Sequence, residues 1–307
     1  MKHFLSASSL TRDHALHLFT VAADLKQRWK AGQRPTPLAG RTIALIFEKP
    51  SLRTRVTFEV GAVQLGGRAV YLAGAEIGLG TRESVPDVGR NLSRWVDGIA
   101  ARVFSHATVE TMARVASIPV INALSDVEHP CQALADYFTL WERGVDLSSM
   151  KLAWIGDGNN VCHSVILLGA LLGARIAVAC PPGYEPDPGI QATTRRLAKE
   201  FEVTTEPERA ARGADVIYTD VWTSMGQEKE REVRLEAFSR YQVNDKVMGF
   251  AKPSALLMHC LPAHRGEEIT DSVLDGPQSI VLDQAENRLH AQKAILLDLL
   301  GGTVNDG

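Results

Sequence analysis

Lys151-Leu152-Ala153-Trp154-Ile155-Gly156-Asp157-Gly158-Asn159-Asn160-Val161 is the stretch that decides the fold. An apolar run ends in a glycine-punctuated turn and passes into a helical pattern, which reads as strand, tight turn and helix. Similar β-rich runs recur at Thr42 to Phe47, Arg68 to Leu72, Gly98 to Val103, Pro119 to Leu124, Arg175 to Cys180, Ala214 to Val221, Ala255 to Leu261 and Ser279 to Leu282. Stretches of helical period separate most of them, and most of the runs are continuously apolar, as parallel strands covered on both faces are. The predicted class is α/β: two doubly wound parallel-sheet domains with the active site in the cleft between them. Leu134, Tyr137, Phe138, Leu140 and Trp141 mark a helix that stops near Arg143-Gly144, and the boundary is placed there. Residues 1–146 form the first domain, with about four strands, and 147–284 the second, with about five. A final helical segment, Gln284 to Leu300, has an apolar stripe that could pack on either domain.

Composition excludes several classes. The chain has 307 residues, 45% of them apolar, with 33 Lys and Arg against 36 Asp and Glu for a net charge of -3. That is ordinary globular content with no cationic surplus for nucleic acid or an anionic membrane. The longest uncharged stretch, Gly158 to Ala174, contains Asn159, Asn160 and His163, so no transmembrane span is expected. Met1 to Leu5 carries one cation and no apolar block follows before Arg12 and Asp13, so no secretory signal is read and the cytoplasm is the expected address. Cys131, Cys162, Cys180 and Cys260 form no Cys-x-x-Cys pair and read as reduced thiols.

Several clusters could carry chemistry. Ser51, Leu52, Arg53, Thr54 and Arg55 lie where a strand turns into a helix, so unpaired N–H groups, two hydroxyls and two guanidinium groups converge into a cradle for phosphate. The plainer reading is a capping serine with surface arginines. Arg102 sits inside an apolar strand near its carboxyl end and calls for an anionic partner. His129 precedes a helix that opens with Pro130 and Cys131, and Gln132 lies where its amide reaches the same ligand. After Trp154-Ile155 the glycines fail the Gly-x-Gly-x-x-Gly fingerprint of nicotinamide binding, leaving Asn160 as a polar reader of a small ligand. Asp220 suits an ammonium group, and groups near Ser224 suit a carboxylate. His259 and Cys260, adjacent on a strand, point to opposite faces, which argues against a shared metal site and leaves Cys260 as a polar contact.

In order and spacing, Ser51-Leu52-Arg53-Thr54-Arg55, His129-Pro130-Cys131-Gln132, Asp157-Gly158-Asn159-Asn160, Asp220-Val221-Trp222-Thr223-Ser224-Met225-Gly226 and His259-Cys260-Leu261-Pro262 resemble ornithine carbamoyltransferases across nearly the whole chain. The first two are shared with aspartate carbamoyltransferases and indicate carbamoyl phosphate; the Ser-Met-Gly and His-Cys-Leu-Pro segments indicate L-ornithine. The resemblance implies that Ser51, Leu52, Arg53, Thr54, Arg102, His129, Pro130, Cys131, Gln132, Cys260, Leu261 and Arg288 contact carbamoyl phosphate. It assigns Asn160, Asp220, Ser224 and Met225 to ornithine. Arg53, Thr54, Arg102, His129 and Cys260 are the implied catalytic groups.

The C-terminal helix, about residues 285–307, is expected to return to the first domain, and no metal or organic cofactor is called for. Family members are typically trimers, so a homotrimer or a multiple of trimers is expected, without nucleic-acid or membrane partners. The chain departs from the family twice. Leu52 replaces a threonine but keeps its N–H for phosphate, and Gly78 stands where a glutamine would reach a neighbouring site, with Arg82 as its possible substitute. Transfer to N-acylated ornithine, putrescine or aspartate is the nearest alternative. A silent binding module and a nicotinamide dehydrogenase stand further off.

Overall fold

The structure, a computed structural model, describes residues 1–224 and 228–301. The chain divides into two compact units, Met1–Phe138 with the chain from Glu286 on, and Thr139–Ala285. The division falls within the helices Pro130–Glu142 and Val281–Leu300.

The first unit holds β1 (Thr42–Phe47), β2 (Arg68–Ala73), β3 (Gly98–Arg102) and β4 (Val120–Leu124) in a parallel sheet of order β2-β1-β3-β4. The crossovers are made by Leu52–Gln64, Val85–Trp95 and His106–Val115. Ala44, Ile46, Ile99, Ala101 and Val120 of the strands pack with Val88, Leu92, Val109 and Met112. Burying these side chains removes apolar surface worth about 1.5–3 kcal/mol for each large one. At the sheet edge, the fully buried Phe4 donates its N–H to Val120 O at 2.9 Å, and Asn122 N–H returns to Phe4 O at 2.8 Å. The part of Val281–Leu300 beyond Glu286 packs in this unit: Lys26 of helix Arg12–Lys30 donates to Asn287 at 2.8 Å, and Lys293 lies so close to Gly61 that a Cβ there would stand 3.3 Å from its Cγ.

The second unit holds β5 (Lys151–Ile155), β6 (Arg175–Ala179), β7 (Glu200–Thr204), β8 (Val216–Thr219) and β9 (Leu256–His259), parallel and ordered β7-β6-β5-β8-β9. Two expectations from the sequence differ from the structure. β7 was not expected because Glu-Phe-Glu-Val-Thr is an edge strand, paired only with β6 and largely half-buried, so it lacks an apolar run. The expected strand Ser279 to Leu282 does not form: Ser279 makes one isolated bridge to Leu257, and the chain coils at once into Val281–Leu300, with Gln284 N–H on Ile280 O at 2.9 Å. Leu282 is left 77% exposed on that helix, which no core strand residue would be.

Helix Pro130–Glu142 opens on its proline and stops at Gly144, whose φ of 77° lets Val145 N–H close on Leu140 O at 3.0 Å. Gly158 is required for a different reason. Its N–H bonds Tyr184 O at 2.9 Å, and a Cβ on it would lie 2.3 Å from Pro186 N, backbone that cannot yield cheaply. Gly158→Ala is therefore expected to destabilise the chain by about 1–3 kcal/mol through overpacking. A calorimetric melt checks this, and an unchanged transition would contradict the close approach.

Candidate active site

A parallel sheet covered on both faces leaves its ligand groups beyond the carboxyl ends of the strands, in the crevice where the strand order reverses. In the first unit the chain leaves β1 in one direction to β2 and later in the other to β3, so the reversal lies between β1 and β3. In the second unit it lies between β5 and β8. Ser51 to Thr54 follow β1 and Arg102 ends β3; Asp157 to Asn160 follow β5 and Asp220 follows β8.

In the first unit, Ser51 caps helix Leu52–Gln64, its hydroxyl accepting the Thr54 N–H at 3.2 Å. Thr54 is buried, and its hydroxyl accepts from Arg288 Nη2 at 3.0 Å. Arg288 Nη1 donates to Gln132 Oε1, and Gln132 Nε2 donates to Asp136 at 2.8 Å. Arg288 is 2% exposed and Arg102 is 7% exposed, so two guanidinium groups are held inside the protein. His129 lies fully buried among them: burial, then the charges of Arg288, Arg102 and Arg53, push its pKa well below the ordinary value, so the imidazole is neutral. Cys131 is buried, its thiol donates to Asn122 O at 3.4 Å, and burial pushes it up to about 12. Leu52 is 75% exposed.

Two residues here escaped the sequence reading. Glu48 ties β1 to β3, donating its N–H to Arg102 O at 2.9 Å and accepting Phe104 N–H at 2.8 Å. Lys49 stands over the Phe104 ring at 4.8 Å, and burial followed by the Arg102 charge lowers its pKa. Both stand between the end of β1 and the Ser51 to Arg55 turn; their signal was position after a strand, not residue pattern. Gly78 has φ 66°, and a Cβ there would meet Arg82 Cβ at 2.7 Å, so this position suits glycine. Arg82 donates to Ile77 O within its own loop at 3.4 Å.

In the second unit Asp220 is 5% exposed and accepts three hydrogen bonds: from Cys260 Sγ at 2.9 Å, from Asn159 Nδ2 at 2.9 Å and from Val221 N–H at 2.8 Å. Asn159 therefore spans the reversal between β5 and β8. Its own carbonyl caps helix Asn160–Leu172 by accepting Val161 N–H at 2.9 Å and Cys162 N–H at 3.1 Å. Ser224 is half-buried, and Met225 lies outside the described residues. Asp157 pairs with buried Arg234 at 2.9 Å, and the same Nη1 donates to Trp222 O at 3.0 Å.

The side chains of Asp220, His259 and Cys260 bring potential metal ligands within 4.8 Å of one another. This corrects the expectation that His259 and Cys260 diverge: β9 ends at His259, so the alternation of a strand does not extend to Cys260. Both imidazole nitrogens are nonetheless engaged, Nδ1 accepting Leu261 N–H at 2.9 Å and Nε2 bonded to Glu268 at 3.1 Å. A metal would have to break one of these bonds and take the Cys260 proton from Asp220. Leu261 has φ 56° and precedes a cis peptide bond to Pro262.

Two parallel-sheet units, each with polar groups gathered at the reversal of its sheet, define a two-domain α/β enzyme. Residues 2–142 match the family described as aspartate/ornithine carbamoyltransferase, carbamoyl-P binding domain, and residues 148–299 match its Asp/Orn binding domain. The chain is 50% identical over 301 residues to the ornithine carbamoyltransferase of Archaeoglobus fulgidus, covering 98% of each. It is 53% identical over 307 residues to that of Methanothermobacter thermautotrophicus, covering 98% of this chain and 99% of the relative. The solved ornithine carbamoyltransferase from Pyrococcus furiosus superposes with a TM-score of 0.94 at 48% identity, covering 98% of both chains. The chain belongs to the aspartate/ornithine carbamoyltransferase family.

The Asp157 carboxyl offers a measurable pH signature. Burial pushes it up to about 6 from an ordinary 3.8, outweighing the Arg234 guanidinium beside it. A folded pKa above the unfolded one means that its contribution to stability is fully present below about pH 4 and is lost as pH rises through about 6. Relative to the non-titrating variant Asp157→Asn, wild-type stability is expected to fall by about 3 kcal/mol across that window. Denaturant titrations of both proteins between pH 4 and 7 check it; a constant difference would contradict the buried carboxyl.

Proposed function

We propose that this chain transfers the carbamoyl group of carbamoyl phosphate to the δ-amine of L-ornithine, giving L-citrulline and phosphate. The observation that carries this is the buried cluster of cationic and polar groups in the first unit: Arg288 donates to Thr54 at 3.0 Å and to Gln132, Arg102 is buried as well, and burial and the charges of Arg288, Arg102 and Arg53 lower the pKa of the buried His129. Such a site suits a multiply charged phosphate joined to a carbonyl that must be polarised without a proton being transferred to it. In this reading Ser51, the helix N–H groups of Leu52 and Arg53, and Arg102 receive the phosphate. Thr54, Arg102 and His129 hydrogen-bond the carbonyl oxygen as it becomes an oxyanion, and Gln132 orients the carbamoyl amide.

Ornithine is held through its charges. Asp220, backed by Cys260, accepts the ammonium group, while Asn160 and the chain at Ser224 and Met225 receive the carboxylate. The side-chain amine, deprotonated, attacks the carbamoyl carbon, and the C–O bond to phosphate breaks. The departing phosphate takes the amine proton, so no protein base is needed. An acidic rather than basic group at Asp220 favours this cationic acceptor over aspartate.

Citrulline formation by purified protein, assayed with ornithine and each rival amine in parallel, tests the reading. Arg102→Leu is expected to lower kcat by about two orders of magnitude or more with the fold retained. Activity within a few-fold of wild type would remove Arg102 from the role given to it.

A homotrimer in the cytoplasm completes the proposal. Leu52, Val56, Val60 and Val63 form an exposed stripe down one face of helix Leu52–Gln64, a face whose burial between copies of the chain would be favourable. No helix among the described residues is long and apolar enough to cross a membrane, and all four cysteines are free thiols. Light scattering on the eluted protein is expected to give about 100 kDa, three times 33.4 kDa, or a multiple of it. A mass of one chain would refute the trimer.

A further inference from the structure

The polar groups of the second unit described above gather beyond the carboxyl ends of its strands. At the amino ends of the same strands lies a cavity of about 640 Å³ that takes no part in that chemistry. Lys151, Arg175 and Glu200 open β5, β6 and β7. They are matched in register, Lys151 with Arg175 and Arg175 with Glu200, so the three side chains rise from one face of the sheet. Two residues further along that face stand Ala177 and Glu202, again in register. The short helix Pro207–Ala211 shares a core with Ala153 and Ala177 through Ala210 and Ala211, and the chain leaves it as Arg212-Gly213. Ala177 and Gly213 are too small to fill the space between sheet and turn, and a Cβ on Gly213 would meet nothing within 4 Å.

The charges around this cavity are unequal. Lys151, Arg175, Arg212 and Lys252 line it together with Glu200 and Glu202, four cations with two carboxylates. Lys252 is held by Asp215 at 2.6 Å and Glu202 by Arg209 at 2.5 Å, which leaves three cations and the exposed Glu200. Among the described residues neither Arg175 nor Arg212 is in an ion pair. Arg175 Nε donates to Ser149 O at 3.2 Å, and the Arg212 guanidinium lies 5.4 Å from the centre of the Phe250 ring. Lys151 Nζ donates to Arg212 O at 2.8 Å and so ties the turn to the strand. Two guanidinium groups without a carboxylate, beside an amine, suit a doubly charged oxyanion bound by charge-assisted hydrogen bonds.

We propose that this cavity is a second anion site, which takes a phosphate dianion, free or carried as a phosphomonoester, between Arg175 and Arg212 with Lys151 beside them. The volume leaves room for the organic part of a phosphomonoester. The site lies a strand's length from Asp157 and Asp220, and the inference does not rest on the carbamoyl-transfer reading.

Pyridoxal 5′-phosphate is the probe that tests it. The Lys151 amine condenses with the aldehyde carbon, water leaves, and borohydride reduces the imine to a secondary amine that peptide mapping locates. Burial, then the charges of Arg175 and Arg212 working against those of Glu202 and Glu200, lowers the Lys151 pKa and favours the neutral amine that reacts. Lys49, whose pKa is also lowered, falls on a different peptide and is read apart. Pyridoxal lacks the phosphate and reports the reactivity of each amine alone, so the readout is the ratio of the two labelling rates.

In the wild-type chain the ratio at Lys151 is expected to exceed that at the exposed Lys246 by about tenfold, and in R175Q/R212Q to fall to the Lys246 value at an unchanged melting temperature. A Lys151 ratio no higher than that of Lys246, or one that persists in the double variant, overturns the proposal. Inorganic phosphate and glycerol 3-phosphate are then added as competitors. Protection of Lys151 by either supports the site, and the one effective at lower concentration tells free phosphate from phosphomonoester; protection by neither overturns it. Should R175Q/R212Q melt below the wild type, R212Q, at an exposed position, takes its place. A ratio lowered by about threefold or more then supports the site, and an unchanged ratio overturns it.

Discussion

A parallel sheet sheathed by helices can expose polar chemistry only beyond the ends of its strands, and everything functional in this chain follows from that constraint. In each unit the ladder hydrogen bonds occupy the strands and apolar side chains fill both faces. The first residues free of those demands are those at the carboxyl end of β3 and just after β1, β5, β8 and β9. Those positions carry Ser51 and Thr54, Arg102, Asp157 and Asn159, Asp220, and Cys260.

Polar groups so placed are partly desolvated, and the structure compensates by bonding them to one another. Asp220 collects three donors, Arg288 engages Thr54 and Gln132, and Asp157 faces Arg234. Such networks cost stability when incomplete and hold geometry when complete. His129 shows the opposite response to burial. Surrounded by cations, it relinquishes its proton rather than its place.

The strand-turn-helix rhythm was legible because the central strands are apolar on both faces, and β1, β5 and β6 are readable at sight for that reason. β7 was not, since an edge strand with one partner need satisfy no such pattern. Ser279 to Leu282 misled because β-branched and apolar residues serve equally at the start of a buried helix. Among the site residues, Asn159 shows the limit of spacing: it and Asn160 both follow β5, and only the fold shows Asn159 bonded to Asp220. Cys260 was read by strand alternation past the point where the strand stops.

By itself, then, the order of residues determined the α/β class, the loops that could carry charge, and through its motifs the family. Those are local properties, set by periodicity and by residue types a few positions apart. Tertiary structure alone decided that Arg288, from the last helix, meets Thr54 and Gln132. It alone decided that Asn159 bridges to Asp220, and that Glu268 bonds the imidazole of His259. These contacts join residues far apart in the chain. They exist because burial brings polar groups together and then requires each to find a partner, and no local pattern records which partner that is.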